Sequence, residues 1–369
     1  MTLIRIDADS NEWDEIVRSM NGHSVYQFAA YHRLAAQMDG GSARLFFFEK
    51  GSRRIAIPLI IRDIPSSCLR GDEVLRDATS VYGYPGILSN TDDAPAEFID
   101  RFQFVLQEEM RRENVVTVFV RLGAFRNSIE LIRGLGDVEK IGDTVAIDLS
   151  LCDETRFRGY RRNHRQNISQ LRRLGAKTHV DVDYTNLSRF ENAYRLSMQR
   201  VGANDWFTFG LPYFDQLCTS CSDDVVLLQT MVDDEFMCGG LFFSSGDVAY
   251  AHLTATADEW VGKSPTKVLF EDAASFFKQR GCRWLHLGGG LGAREDNLYR
   301  FKCGFSDQRF PFHVWKYVVD MKRYQELCRP TRIPSMGDKY ESFFPQYRAV
   351  ASDCSRREPA PSSQVAEDL

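Results

Sequence analysis

The chain has 369 residues, of which 43% are hydrophobic and 12% aromatic, enough for a substantial core and for more than one domain. A net charge of −5 excludes the global basic field of sequence-independent nucleic-acid binders, so no DNA partner is expected and any RNA contact must be local. An odd number of scattered cysteines, nine, and an amino terminus without a signal-peptide succession predict a reduced, cytoplasmic protein, and apolar runs this short leave no integral membrane segment.

Apolar spacing predicts a strand over 3–6 and a helix on Trp13, Ile16, Val17 and Met20, with Ser10 and Asn11 as cap candidates. A second helix follows on Phe28, Tyr31, Leu34, Ala35 and Met38, and 43–49 with 55–63 form a hairpin around Lys50, Gly51 and Ser52. A Tyr/Gly/Pro segment at 80–87 precedes a helix on Phe98, Phe102, Val105, Leu106 and Met110, a strand over 115–121, a short helix from Asn127 and a strand over 144–149. The second half repeats this order: a strand over 177–184, helices over 187–200 and 211–221, strands over 225–231, 236–243 and 248–255, a helix over 265–280, a strand over 283–287, a short helix around Asn297 and a last strand over 310–319. The chain therefore reads as one α/β unit used twice, on element order alone, because the copies share negligible identity. The expected domains are 1–150 and 151–325, with an Arg-rich helix at 155–174 between the two sets of elements. A 326–369 extension ends in a tail with Pro359, Pro361, Ser362 and Ser363 that reads as disordered.

The most informative stretch is 283–305, RWLHLGGGLGAREDNLYRFKCGF. An apolar strand runs into Gly288, Gly289, Gly290 and Gly292, where bare backbone can approach a bound group. Arg294, Glu295 and Asp296 then open a short helix whose Leu298, Phe301 and Phe305 keep one face apolar, with Lys302 at the edge of that face.

This order and this motif resemble the GNAT acyltransferase superfamily in its tandem form, the Fem family of peptidoglycan-bridge aminoacyltransferases and their acetyltransferase-like relatives. Four islands carry the likeness: DATSVYGYPGI at 77–87; Arg165, Ile168, Leu171 and Gly175 in the Arg-rich helix; YAHLTATADEW followed by SPTKVLFEDA; and HLGGGLGAREDNLYRFKCGF. Together they cover 1–320 in order and spacing. The resemblance implies an α/β fold of two tandem GNAT-like domains, each a mixed twisted sheet flanked by helices. It also implies acyl or aminoacyl transfer that forms an amide on an amine-bearing envelope precursor, sugar or peptide. No cofactor is expected to stay bound, and the donor is acyl-CoA or aminoacyl-tRNA, with tRNA then a partner. The spaced-glycine loop of single-domain GNAT enzymes is not found between Ala255 and Pro265, and no heptad run supplies the coiled-coil arm of some Fem enzymes. A CoA-dependent N-acetyltransferase of a small amine, or a noncatalytic binding protein on the same fold, are the alternatives.

By the resemblance, Phe301 and Lys302 line the acyl-transfer site. Amide formation needs a neutral amine, a donor in line and stabilisation of the oxyanion, and a lysine ammonium suits the last of these. Glu295 and Asp296 are placed to take a proton from the amine or simply to cap a helix. His252, on a strand, is a third base candidate or a packed histidine. Gly288, Gly289 and Gly290 would hold the donor, and Arg294 joins Phe301 on the substrate side. Tyr82 and Tyr84 fall where the family places part of its acceptor cleft, or else form a packed Gly/Pro turn. Arg161 and Arg165 belong to a run of seven arginines and no acidic residue between Thr155 and Leu174, a site for a phosphate-bearing ligand or a solvated helix face.

Two other patterns are decoys. ADEWVGKS at 257–264 lacks the first glycine of a phosphate loop and carries Asp258, Glu259 and Trp260 in the spacer. Cys218 and Cys221 form a CxxC without a second pair at zinc spacing, so no metal is expected. The aromatic segment YESFFPQYR at 340–348 reads as a docking or packing element.

Overall fold

The computed structural model describes residues 3–69, 73–91, 93–125, 128–203, 205–222, 224–329 and 343–353. In chain order the elements are β1 (Leu3–Asp7), α1 (Asn11–Arg18), α2 (Ala29–Asp39), β2 (Gly41–Lys50), β3 (Arg53–Asp63), β4 (Arg76–Thr79), β5 (Leu88–Ser89), α3 (Ala96–Arg112), β6 (Val115–Arg121) and β7 (Asp137–Asp148). They continue with α4 (Asp153–Gly159), α5 (Arg162–Arg173), β8 (Lys177–Asp181), α6 (Leu187–Arg200), α7 (Leu211–Ser220), β9 (Val225–Val232), β10 (Glu235–Ser245), β11 (Val248–Thr256) and α8 (Thr266–Gln279). The last are β12 (Trp284–Gly288), α9 (Asn297–Lys302), β13 (Arg309–Val318), α10 (Met321–Leu327) and α11 (Gln346–Asp353).

The chain divides into two compact units, Met1–Lys140 with the described residues from His313 on, and Ile141–Phe312. Each is a mixed sheet flanked by helices, as the resemblance implies. In the first, the strand order is β1-β2-β3-β4-β6-β13, with β5 on β3. All neighbours run antiparallel except β4 and β6, which are parallel. A parallel pair needs a crossover, and α3 supplies it. Its Phe98, Phe102, Leu106 and Met110, spaced four apart, share a core with Phe46, Phe48, Val118 and Trp315.

The second unit follows the same plan, β8-β9-β10-β11-β12-β7, with β11 and β12 as its parallel pair and α8 as the crossover. Ile168 and Leu171 of α5, Val268, Ala273 and Phe277 of α8, and Leu285 and Leu287 of β12 form its core. The sixth strand of each unit lies in the stretch of sequence expected to form the other: β13 completes the first unit, and β7, which directly precedes β8, completes the second.

Three other differences from the expected elements have local causes. The strand β4 was not anticipated because its Arg76 and Asp77 break any apolar run; Asp77 is only 1% exposed and is buried by ion pairing instead. The helix expected over 155–174 is two helices, since Tyr160 takes an extended backbone (φ −65°, ψ 149°) and buries its ring. Met321–Leu327 and Gln346–Asp353 add helices to what read as an extension. Asn127, the tail with Pro359, Pro361, Ser362 and Ser363, and Tyr340 to Ser342 of the aromatic segment lie outside the described residues.

The described part of that segment packs into the first unit. Tyr347 is 1% exposed, its hydroxyl 2.8 Å from Thr117 Oγ1. Arg348 pairs with Asp77 and donates to the Asp63 carbonyl at 2.8 Å, while Arg62 Nε donates to the other Asp77 oxygen at 2.8 Å. Two guanidinium groups thus neutralise one buried carboxylate, and removing the charge strands them. Asp77→Asn should lower the unfolding free energy by about 3 kcal/mol, read from urea titration with an unchanged slope.

Candidate active site

The parallel pair of the second unit is short. Val248, Ala249 and Tyr250 pair with Trp284, Leu285 and His286, and the pairing ends there. At the same point β11 slips its register on β10, between Leu241 and Phe242, which leaves His252 as the extra residue of a bulge. The carboxyl ends of two parallel strands that part in this way make a crevice, the usual position of ligands in such sheets.

The glycine cluster continues β12 into that crevice and folds back on itself. Asp296, the N-cap of α9, accepts from Tyr299 N with one oxygen and from Leu291 N with the other, both at 2.8 Å. Gly290 must be bare, since a Cβ there would strike the Arg294 carbonyl and the Asp296 carboxylate. Asp296 therefore closes the loop and caps the helix, with both oxygens occupied; Glu295 beside it is exposed.

Lys302, the last residue of α9, donates from Nζ to the Gly289 carbonyl at 2.6 Å. Burial pulls its pKa down to about 8, against the opposing pull of the Asp296 charge. His286 stands nearby on β12, 1% exposed, its ring edge-on to Tyr250 at 5.4 Å. Burial first, and the Lys302 charge second, lower its pKa to about 3, so it is neutral at physiological pH. His252 stacks on Phe243 at 4.1 Å and burial lowers it likewise to about 3. A pKa that low fits a packed imidazole better than a base working near neutrality.

The helix bearing Lys302 has six residues, too few to hold itself, and its position is fixed from α5. His164, 2% exposed, contacts the Phe301 carbonyl through Nε2 at 3.0 Å, while its ring meets Phe301 at 5.3 Å and Phe305 edge-on at 4.6 Å. The carbonyl can only accept, so Nε2 carries the proton. Gly304 gives the imidazole its room, because a Cβ there would enter the ring, and its carbonyl accepts from Arg161 N at 2.7 Å. Phe301 thus faces the core rather than open space.

The sequence-derived residues separate accordingly. Lys302, Gly288, Gly289, Gly290 and Asp296 are brought together, and the main chain of Arg161 joins them through α9. Arg165 spends its guanidinium on the carbonyls of Arg158 and Tyr160 at the end of α4, whereas Arg161 and Arg294 are exposed. Tyr82 and Tyr84 belong to the first unit. Sequence reasoning missed His164 and His286; the signal for His286 was a histidine inside an apolar strand just before the glycines, whereas nothing local marks His164. Among the described residues no group of three or more His, Cys, Asp or Glu could hold a metal ion, and no helix is long and apolar enough to cross a membrane.

Residues 158–302, which include the crevice, match the family model for the acetyltransferase (GNAT) domain. Over its length the chain superposes on the crystal structure of FemX with a TM-score of 0.67 at 12% identity, covering 88% of this chain and 99% of that one. It is also similar to L-PGS from Bacillus licheniformis (TM-score 0.56, 13% identity, 87% and 96% covered). A third likeness is to the C-terminal domain of a putative lysylphosphatidylglycerol synthetase from Agrobacterium fabrum (TM-score 0.53, 14% identity, 82% and 89% covered). No curated protein matches the chain by sequence. These likenesses are of fold: the chain has a tandem GNAT fold like that of FemX.

Burial makes four histidines acid-sensitive: His32 and His164, lowered from 6.5 to about 4, and His252 and His286, lowered to about 3. Below pH 6.5 the unfolded chain takes up protons that the folded chain refuses, so stability is full above that pH and falls as pH drops towards 4. The melting midpoint should decline over this window, and His252→Gln should make the decline shallower. Separately, His164→Leu leaves the Phe301 carbonyl without its donor and should cost about 1–3 kcal/mol in urea titration, with His164→Gln recovering part of the loss.

Proposed function

We propose that the protein is an N-acyl- or aminoacyltransferase that forms an amide on an amine-bearing envelope precursor, sugar or peptide. The observation that carries this reading is the Lys302 ammonium, held by the Gly289 carbonyl at the end of the parted strands with its pKa near 8. When an amine attacks a thioester or ester carbonyl, negative charge gathers on the carbonyl oxygen. A preorganised cation in a site partly closed to water stabilises that charge more than water would. Lys302 leads in this role, with Phe301 positioned by His164 behind it.

The donor is acyl-CoA or aminoacyl-tRNA. The acetyltransferase (GNAT) match over 158–302 favours the first. The resemblance to aminoacyl-transferring Fem enzymes favours the second, and Arg161 and Arg294 are the exposed cations available to phosphate in either case. The C–N bond forms as the donor's C–S or C–O bond breaks, releasing the coenzyme A thiol or the tRNA hydroxyl; the amine's proton passes to that leaving group by way of solvent or the exposed Glu295, since Asp296 is occupied by backbone donors.

Lys302→Met should reduce the rate of transfer by about 10²–10³-fold, the size of a lost oxyanion donor, with the melting midpoint held. Turnover equal to wild type would remove Lys302 from the mechanism. Calorimetric titration with coenzyme A, acetyl-CoA, charged tRNA and uncharged tRNA identifies the donor, because only the true one saturates. The pH profile then tests the charge state. An ammonium acting on the oxyanion is lost as pH rises through about 8, so kcat should fall there, whereas a kcat that rises through the same pH would make Lys302 a base.

A further inference from the structure

Arg121 ends β6 in the first unit. Among the described residues no carboxylate forms an ion pair with its guanidinium and no acceptor takes a hydrogen bond from it. The group rests instead over the face of Phe119, 5.2 Å from the ring centroid, and Phe119 is backed in turn by Phe344 at 6.4 Å. The contrast with its neighbours is sharp: Arg62 and Arg348 share Asp77, and Arg76 bridges Asp63 and Glu113. Burial disfavours the charge on Arg121; Tyr82, Asp39 and Tyr31 favour it from a distance, and Arg62 opposes it.

Its location is the first unit's counterpart of the crevice at β11 and β12. The parallel pairing of β4 with β6 ends at Thr79 and Phe119. The chain then leaves β4 through Ser80, whose Oγ accepts from Arg121 N at 3.0 Å, and returns at Gly86, whose N donates to the Arg121 carbonyl at 3.0 Å. Between those two anchors stand Tyr82 and Tyr84. The Tyr82 carbonyl accepts from the Tyr31 hydroxyl at 3.1 Å, and the Tyr26 ring lies edge-on to Tyr31 at 5.8 Å and to Tyr84 at 6.1 Å. The backbone of Arg121 is thus bonded on both sides to one aromatic loop, while among the described residues no acceptor meets its guanidinium donors.

A planar guanidinium with open donors, at the carboxyl end of a parallel strand pair, fits the two flat or tetrahedral oxyanions that bind arginine bidentately. We propose that Arg121 anchors an anionic oxygen group of a ligand, a carboxylate or a phosphate, in the first unit. That this ligand is the amine acceptor rests on the acyl-transfer reading; that the unit binds an anion does not.

A half-buried guanidinium without acceptors opposes folding, and an anion that binds only the folded state offsets it. The test is the melting midpoint of the full chain in pyrophosphate and, separately, in glutarate, each against sodium chloride of equal ionic strength. Wild type should gain about 2–5 °C in one of them, pyrophosphate marking a phosphate site and glutarate a carboxylate site. Arg121→Met should melt at or above the wild-type midpoint without added anion and gain nothing from either. Arg121→Lys, charged but without the fork, should show a smaller gain. Lys302→Met should keep the full gain, so failure of the catalytic reading is told apart from failure of this one. The proposal is overturned if neither anion shifts wild type, if Arg121→Met keeps the shift, or if Arg121→Met melts well below wild type, which would make the cation structural.

Discussion

The bond from Lys302 to the Gly289 carbonyl fixes where this protein's candidate chemistry can happen. A strand that loses its neighbour leaves main-chain carbonyls without donors, and such groups must be satisfied if they are removed from water. At the end of β12 the donor is an ammonium instead of another strand. A loop of glycines, a six-residue helix and a partly buried lysine therefore become one rigid object, closed at its far side by Asp296. None of these parts would hold its place alone. The helix is below the length that persists in water, so it depends on His164 and on the contacts of Phe301 and Phe305 with Phe270.

The two units answer the same geometric problem with different residues. Both have a parallel pair that ends after a few residues, a crossover helix and a sixth strand that the expected division of the sequence gives to the other unit. At the parting of β11 and β12 the cation is a lysine with a lowered pKa, able to change its protonation near neutrality. At the parting of β4 and β6 it is an arginine, which keeps its charge at any working pH. A group that stays charged suits holding an anion, and a group poised near neutrality suits a reaction in which charge develops and is discharged. A repeated fold in this sense repeats a position, while the residue placed there decides what the position does.

Much of this was legible in the sequence where one physical signal dominated. The spacing of Phe98, Phe102, Leu106 and Met110 gave a helix because nothing but an apolar face was needed, and the order of elements revealed the duplication despite negligible identity. The strand β4 escaped because Asp77 is buried by Arg62 and Arg348, and Arg348 lies far away in sequence. The strand exchange escaped for the same reason: β7 and β13 read correctly as strands, but pattern carries no information on which sheet a strand joins. In the site, the glycines and Lys302 stood out by composition. Asp296 was ambiguous between base and cap until the partners of both its oxygens were known, and His164 was invisible because its role consists of one contact with a carbonyl 137 residues on.

Arginine density was an ambiguous sequence signal, and the reason is instructive. Seven arginines in an acidic protein look like a surface for phosphate, yet Arg156 is 2% exposed against Glu271 and Asp153, Arg172 is paired with Asp272, and Arg165 caps the end of α4. Their charge is largely spent within the fold. Arg121, flanked by apolar residues, gives no compositional hint, and among the described residues no acceptor meets its guanidinium donors. What makes a cation available to a ligand is the absence of internal acceptors, and that property is set by tertiary structure. The same burial that raises the cost of an unpaired charge also strengthens its attraction for the right counter-charge, so the cations least satisfied by the protein are those best placed to act on something else.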